Sequence, residues 1–461
     1  MTATAPETAP HWSSRLIFLL AAIGSAVGLG NVWRFSWLAG ENGGGAFVLL
    51  YLACAGLIAL PIVIAEIMIG RAGQLSPINA TRRVALANGK SPAWQITGWL
   101  GVIIAFVAMT FYGLVAGWCL DYTLRAAGGT FDGLSQDAAA AVFEGDLLGD
   151  PLRLTAWQAV FHFLAFGIVA GGLRGGIERA VSWLMPALFG ILLIMVIYAL
   201  SVGDVPAAMD FLFNPDFSKL DGETLLAAIS QAFFSVAIGA GATMMYGAFL
   251  ERNTNIAGSM AIVVFADAAI AILAGVAIFP LVFGYGLEPA SGPGLIFVTL
   301  PIAIGQMPAG AIIGALLFFL LFIAALTSVI ATIEPIVRFL EENRRIKRLT
   351  STIGLGFLTW LLGLGSVFSF NILADFHPLG FIPLFESKTI FDTLEYLSLS
   401  VLVPLSGLAI SLFAGWVITR EHQRAELPIR ASLFAYWRFV VRFAGPVIIL
   451  SIMAYGLGLF G

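Results

Sequence analysis

Two apolar stretches of membrane-crossing length are broken near their middles by glycine: Gly24-Ser-Ala-Val-Gly-Leu-Gly-Asn31 early in the chain and Ser235-Val-Ala-Ile-Gly-Ala-Gly-Ala-Thr243 in its second half. A helix that unwinds inside a bilayer strands N–H and C=O groups where no water can meet them. Such a segment survives only where it is buried in protein or lines a cavity. Corresponding breaks in two halves of a chain are the pattern of secondary transporters, whose ligands bind at the unwound backbone near the midplane. A single glycine pair would be read as close helix packing; the matched positions favour the unwound reading.

Composition agrees with a chain built in lipid. With 59% hydrophobic residues, 11% charged and a mean hydropathy of +0.96 over 461 residues, a soluble globule is excluded. Apolar runs of about 20 residues, enough to cross a bilayer, recur about eleven times. The expected fold is therefore an all-α polytopic membrane protein. Residues 1–11 are polar and lack the basic flank of a secretion signal, so the first span should be retained.

Short cytoplasmic loops carry the excess of Lys and Arg. Basic residues follow span two (Arg71, Arg82, Arg83, Lys90), span four (Arg174, Arg179), span eight (Arg344, Arg345, Lys347, Arg348) and span ten (Arg420, Arg424, Arg430). The alternate segments 132–150, 204–223 and 375–395 are acidic and poor in basic residues. The N-terminus is expected in the cytoplasm and the C-terminus outside, in a bacterial-type inner membrane. The broken spans are the first and sixth, which predicts a 5+5 inverted repeat. The divisions are a cytoplasmic tail 1–13, a first repeat 14–202, an extracellular loop 203–223, a second repeat 224–419, and a cytoplasmic loop with a last span 420–461. Net charge of −4 gives no reason for a nucleic-acid partner, lipid is the surrounding partner, and no feature sets an oligomeric state. Cys54 and Cys119 lie in apolar spans and read as small hydrophobes.

Ionisable groups inside spans are costly and are either paired or functional. Arg34, Glu66, Asp267, Glu334 and Glu395 fall there, with adjacent hydroxyls at Thr327 and Ser328. Carbonyls, hydroxyls and a carboxylate suit a hard cation such as sodium. Back-bonding to their own helix is the plainer reading of Thr327 and Ser328, and Glu66 suits helix-to-helix bonding that steadies an unwound segment. His11, His162, His377 and His422 have no metal-ligand spacing. Too few polar residues lie within the spans for a channel. No nucleophile with a base, and no metal cluster, supports an enzyme. No organic cofactor is expected.

The segment Gly24-Ser-Ala-Val-Gly-Leu-Gly-Asn-Val-Trp-Arg-Phe35, followed by Glu41-Asn-Gly-Gly-Gly-Ala-Phe47, resembles the signature of the neurotransmitter:sodium symporter family. Glu66-Ile-Met-Ile-Gly-Arg71, Phe111-Tyr112, Gln231-Ala-Phe-Phe-Ser235, Ala324-Ala-Leu-Thr-Ser328 and the stretch 380–416 extend the resemblance over essentially the whole chain. It implies the LeuT fold and alternating access driven by sodium. It also implies a first sodium site from the Ala26 carbonyl, Asn31, Ser235 and Asp267, completed by a substrate carboxylate. A second would use carbonyls of Gly24, Val27 and Ala324 with the hydroxyls of Thr327 and Ser328. A fixed carboxylate at Asp267, where many chloride-dependent relatives have a neutral residue, implies chloride independence; its plainer reading is a protonated, bonded acid.

Carried over in the same way, Gly28 stands where monoamine carriers have an aspartate, so the substrate should bring its own carboxylate. The amides of Leu29 and Gly30 with the Tyr112 hydroxyl would receive it, and carbonyls of Ala26, Phe234 and Ser235 would meet the amine. Ala108, Tyr112, Val115, Phe234, Ala237, Ala240, Ser328 and Thr332 would line the side-chain pocket. Ala240 replaces a phenylalanine of the family's leucine carrier, leaving room for a large hydrophobic side chain such as Trp or Phe. Arg34 and Glu395 resemble the outer gate pair with Phe234 as lid, Asp392 competing for Arg34. Inside, Ala9 replaces the leucine carrier's arginine while Trp12 and Glu342 remain, so closure would lean on Trp12, Arg15 or another cation. A transport-inactive amino-acid sensor on the same fold is the alternative.

Overall fold

The computed structural model describes residues 10–289 and 294–459, the side chain of Lys219 excepted, and among these residues there is no strand. The first broken span comprises α1 (Arg15–Ala26) and α2 (Gly30–Glu41), bent by 57° across the break. Then follow α3 (Gly45–Gly73), the short α4 (Pro77–Ala87), α5 (Pro92–Ala127), α6 (Pro151–Ala170), α7 (Leu173–Val202) and α8 (Val205–Phe213). The second broken stretch is α9 (Gly222–Ser235) with α10 (Ala242–Ala248). The chain continues as α11 (Ile256–Gly284), the short α12 (Leu295–Gln306), α13 (Gly310–Arg344), α14 (Arg348–Phe368), α15 (Ile390–Val417) and α16 (Ala431–Gly456).

Helix ends are set by short polar side chains that accept the first free amides. Ser14 caps α1 through Ile17 N at 3.2 Å, Asp150 caps α6 through Leu152 N at 3.0 Å, and Asn255 caps α11 through Gly258 N at 3.0 Å. Proline opens α4, α5 and α6, where its missing N–H costs nothing. Between caps, apolar residues surround many helices on all sides, as expected where the outer face meets lipid. Phe163 on α6 and Trp183 on α7 are 79% and 75% exposed.

Nine of the described helices are long and apolar enough to cross a membrane, and the bent α1–α2 pair makes ten. The sixth expected span differs in form. Residues 236–241 separate α9 from α10, and each half alone is too short to cross. The expected loop 203–223 is not all loop: Asp204 accepts Ala207 N at 3.1 Å and caps the nine-residue α8.

Around the breaks, α5 packs along α13, and α10 lies against α3. Glycine permits the second approach. A Cβ on Gly70 would fall 1.8 Å from the Met244 carbonyl oxygen, and one on Gly247 would fall 2.4 Å from that of Ile67.

Several buried charges brace the bundle. Asp121 accepts from Arg153 Nε at 2.6 Å and Trp157 Nε1 at 2.8 Å, and pairs with Arg125. Glu334 pairs with Arg348, which also donates to the Val169 carbonyl at 2.8 Å. This gives Glu334 a partner on the next helix, as expected of an acid held in a membrane.

Candidate functional site

The two breaks meet at the centre of the bundle. After Ala26 the backbone leaves helical geometry at Val27 (ψ 104°) and re-forms at Gly30. In the other break Ala237, Gly239 and Gly241 all take positive φ, of 50°, 87° and 75°. Glycine makes this path accessible at two of the three positions, and Ala237 adopts it without that freedom. Both backbone groups of Gly239 find side-chain partners. Its N–H donates to Glu66 Oε2 at 3.2 Å, and Ser406 Oγ donates to its carbonyl at 2.8 Å. Buried unwound backbone is thereby satisfied inside the protein. Glu66 does bond across helices to the unwound segment.

Asn31, Ser235 and Asp267 converge from α2, α9 and α11. The Asn31 amide oxygen accepts Gly28 N at 3.0 Å, which turns its NH2 toward Asp267 Oδ1 at 2.7 Å and Ser235 Oγ at 3.0 Å. Ser235 donates to Asp267 Oδ2, and the Tyr51 hydroxyl lies 3.2 Å from Ser235 Oγ. Asp267 is 1% exposed and, among the described residues, pairs with no Arg or Lys. A buried carboxylate met only by neutral donors is left without charge compensation. Oxygen donors around such a group suit a small hard cation.

The second expected oxygen cluster lies where α13 passes the first break. Ser328 Oγ donates to the Val27 carbonyl at 3.2 Å. Thr327 instead back-bonds to the Ile323 and Ala324 carbonyls, each at 3.1 Å. A Cβ on Gly24 would lie 3.3 Å from Thr327 Cβ, so Gly24 brings the break against this hydroxyl pair. Gly24, Val27, Ala324, Thr327 and Ser328 are thus neighbours.

The proposed substrate residues surround the first break. Leu29 N donates to the Tyr112 hydroxyl at 3.2 Å. A Cβ on Gly28 would fall 2.8 Å from Ser328 Oγ, and one on Gly30 would fall 2.5 Å from the Phe234 ring. Ala108, Tyr112 and Val115 share one face of α5 at helical spacing, with Ser328 and Thr332 one turn apart on α13. Thr332 back-bonds to Val329 at 2.9 Å. Ala237 and Ala240 sit within the second break itself, beside Gly239.

The gate residues are placed differently from the expectation. Arg34 stacks over Phe234, 5.1 Å from the ring centre, but forms no direct ion pair with Glu395. It donates instead to Gln231 Oε1 at 2.8 Å and Ser230 Oγ at 3.2 Å, and Gln231 Nε2 donates to the Gly30 carbonyl at 2.9 Å. The amide of Gln231 is near enough to satisfy the guanidinium and the broken backbone together. Asp392 is occupied in a capping box with Thr389, which removes it as a rival for Arg34. On the inner side Trp12 is 7% exposed and donates from Nε1 to the Tyr246 carbonyl at 3.1 Å. Glu342 accepts from Arg338 Nε at 3.0 Å, Ser76 Oγ at 2.6 Å and Asn79 Nδ2 at 2.8 Å. Glu342 is thus paired with a cation one turn earlier on its own helix. Ala9 lies outside the described residues.

Tyr51, Gln231, Ser406 and Arg338 were not among the expected site residues. A tyrosine or a glutamine inside an apolar span needs a hydrogen-bond partner, and that need was the available signal.

Broken helices facing each other around an uncompensated carboxylate, inside a bundle of apolar helices, define a multi-pass membrane transporter. Comparison places it further. The profile of the Sodium:neurotransmitter symporter family matches residues 9–131 and 150–460, and the chain belongs to that family. It is 35% identical over 455 residues to YhdH of Bacillus subtilis (strain 168), described as an uncharacterized sodium-dependent transporter, covering 97% of this chain and 98% of the relative. A human relative, sodium- and chloride-dependent GABA transporter 2, is 23% identical over 84% of this chain and 74% of its own. Among solved structures, MhsT in complex with L-phenylalanine superposes with a TM-score of 0.86 at 39% identity, covering 97% of this chain and 99% of that one. The fold is the LeuT fold.

Proposed function

We propose that this chain is a sodium-coupled symporter of large hydrophobic L-amino acids, working by alternating access and without chloride. The observation that carries the reading is the Asn31–Ser235–Asp267 cluster, a buried carboxylate without a cationic side chain at the junction of the two breaks. A sodium ion held by the Ala26 carbonyl and these side chains would supply the missing charge. Gly24, Val27, Ala324, Thr327 and Ser328 would hold a second ion. The substrate carboxylate would meet the Leu29 and Gly30 amides and the Tyr112 hydroxyl, and its amine the carbonyls of Ala26, Phe234 and Ser235. Gly28 brings no acid of its own to this position, which favours a substrate with a carboxylate, and the phenylalanine bound to the MhsT structure supports an aromatic side chain in the Ala108–Ala240 pocket.

In this reading Asp267 takes the place of bound chloride. Arg34, Phe234 and Glu395 close the outer path, with Gln231 holding Arg34 when the ion pair is open. Trp12 belongs to the inner closure, and Glu342 braces the start of α4 through Ser76 and Asn79. The five-span halves 14–202 and 224–419 are inverted repeats, and the N-terminus faces the cytoplasm of a bacterial-type cell.

Uptake of labelled tryptophan or phenylalanine into proteoliposomes tests this under an inward sodium gradient, in chloride-containing and gluconate buffers. Sodium-dependent accumulation unaffected by chloride, and lost in a Thr327→Ala, Ser328→Ala double variant, is expected. Sodium-dependent binding without accumulation would identify a sensor instead, and a requirement for chloride would overturn the role given to Asp267.

A further inference from the structure

Resting on the alternating-access reading, and going beyond it, we propose that Glu178 at the start of α7 is the latch that keeps the inner end of α1 closed in this chain. Residues 11–14 form a strap ahead of α1. Trp12 N donates to the Phe249 carbonyl at 3.2 Å and Trp12 Nε1 to that of Tyr246 at 3.1 Å, with the Trp12 ring 5.0 Å from the Tyr246 ring. These contacts tie one half-helix to another, α1 to the end of α10. α10 is itself packed on α3 at Gly70 and Gly247.

Ser13 adds a direct tie from the strap to α7. Its N–H donates to Glu178 Oε1 at 2.9 Å, and Glu178 is 7% exposed. Ser13 immediately precedes the cap Ser14, so the carboxylate stands at the positive end of the α1 dipole. The break after Ala26 makes α1 a twelve-residue lever, and Glu178 fastens its free end to a span thirty residues long. Glu342, the acid expected to hold the strap, has no bond to it. Its carboxylate is taken up by Arg338 and by Ser76 and Asn79 at the start of α4.

Hydrogen–deuterium exchange of the full chain in nanodiscs, read by mass spectrometry, tests this without any transport measurement. A failure here would leave the symport reading intact. Losing a charged acceptor that bonds one neutral donor should accelerate exchange over residues 13–26 about tenfold in Glu178→Ala. Glu178→Gln keeps the shape and an acceptor oxygen, so it should accelerate exchange less and stands in if the alanine variant does not fold. Glu342→Ala should leave 13–26 at the wild-type rate while loosening Pro77–Ala87. Exchange over 13–26 at the wild-type rate in both Glu178 variants, or equal acceleration by Glu342→Ala, would overturn the proposal.

Discussion

Asp121 and Asp267 are both buried aspartates in apolar helices, and their surroundings are opposite. Asp121 is held by two arginines and an indole N–H. Asp267 is held by an amide and a hydroxyl, with the Tyr51 hydroxyl behind them, and no cationic side chain. The first arrangement meets the acid with cations of its own and works as a brace between α5 and α6. The second leaves a charge to be met by something that comes and goes. The lesson is that burial alone does not mark a functional acid in a membrane helix; the absence of a built-in counter-ion beside unwound backbone does.

The largest expected effect would separate the two acids by what they lose. Asp267→Asn should lower sodium-driven amino-acid uptake by about a hundredfold, the equivalent of roughly 3 kcal/mol, while the protein remains folded. Uptake close to wild type would break the comparison. Asp121→Ala should do the reverse, leaving two arginines without their shared acceptor and destabilising the fold by about 3 to 5 kcal/mol, measured by denaturant unfolding in detergent. Folded protein that remains should still transport.

A smaller effect belongs to the second break. Ser406→Ala leaves the Gly239 carbonyl without its donor, a loss of about 1 to 3 kcal/mol. It should weaken substrate binding and stability together, in contrast to Asp267→Asn. Tyr51→Phe removes one hydroxyl behind Ser235 and should be mildest, raising the sodium concentration for half-maximal uptake about fivefold, near 1 kcal/mol. No shift would show that Tyr51 merely fills space.

Much of this was legible in the residues. Apolar length marked the spans, glycine in the middle of two of them marked the breaks, and the family resemblance grouped Asn31, Ser235 and Asp267. Chain-distant partners were not legible. Ser406 reaches Gly239 across 167 positions, and Tyr51 reaches Ser235 across 184. No local pattern carries such contacts, because tertiary packing creates them. Glu334 was read as an intramembrane acid with no partner named, and Arg348, read as part of a basic cytoplasmic run, folds back onto α13 to pair with it. Arg34 was paired with Glu395 by the family resemblance, and the nearer amide of Gln231 holds it in this conformation. The sixth span was expected to be broken, and residues 236–241 indeed separate two short helices there.

Equilibrium binding of labelled sodium-22 to purified wild-type and Asp267→Asn protein, in chloride-free buffer with saturating substrate, tests the central claim most directly. The account predicts two ions bound per wild-type chain and one per variant chain. Equal stoichiometry and affinity in both would contradict it.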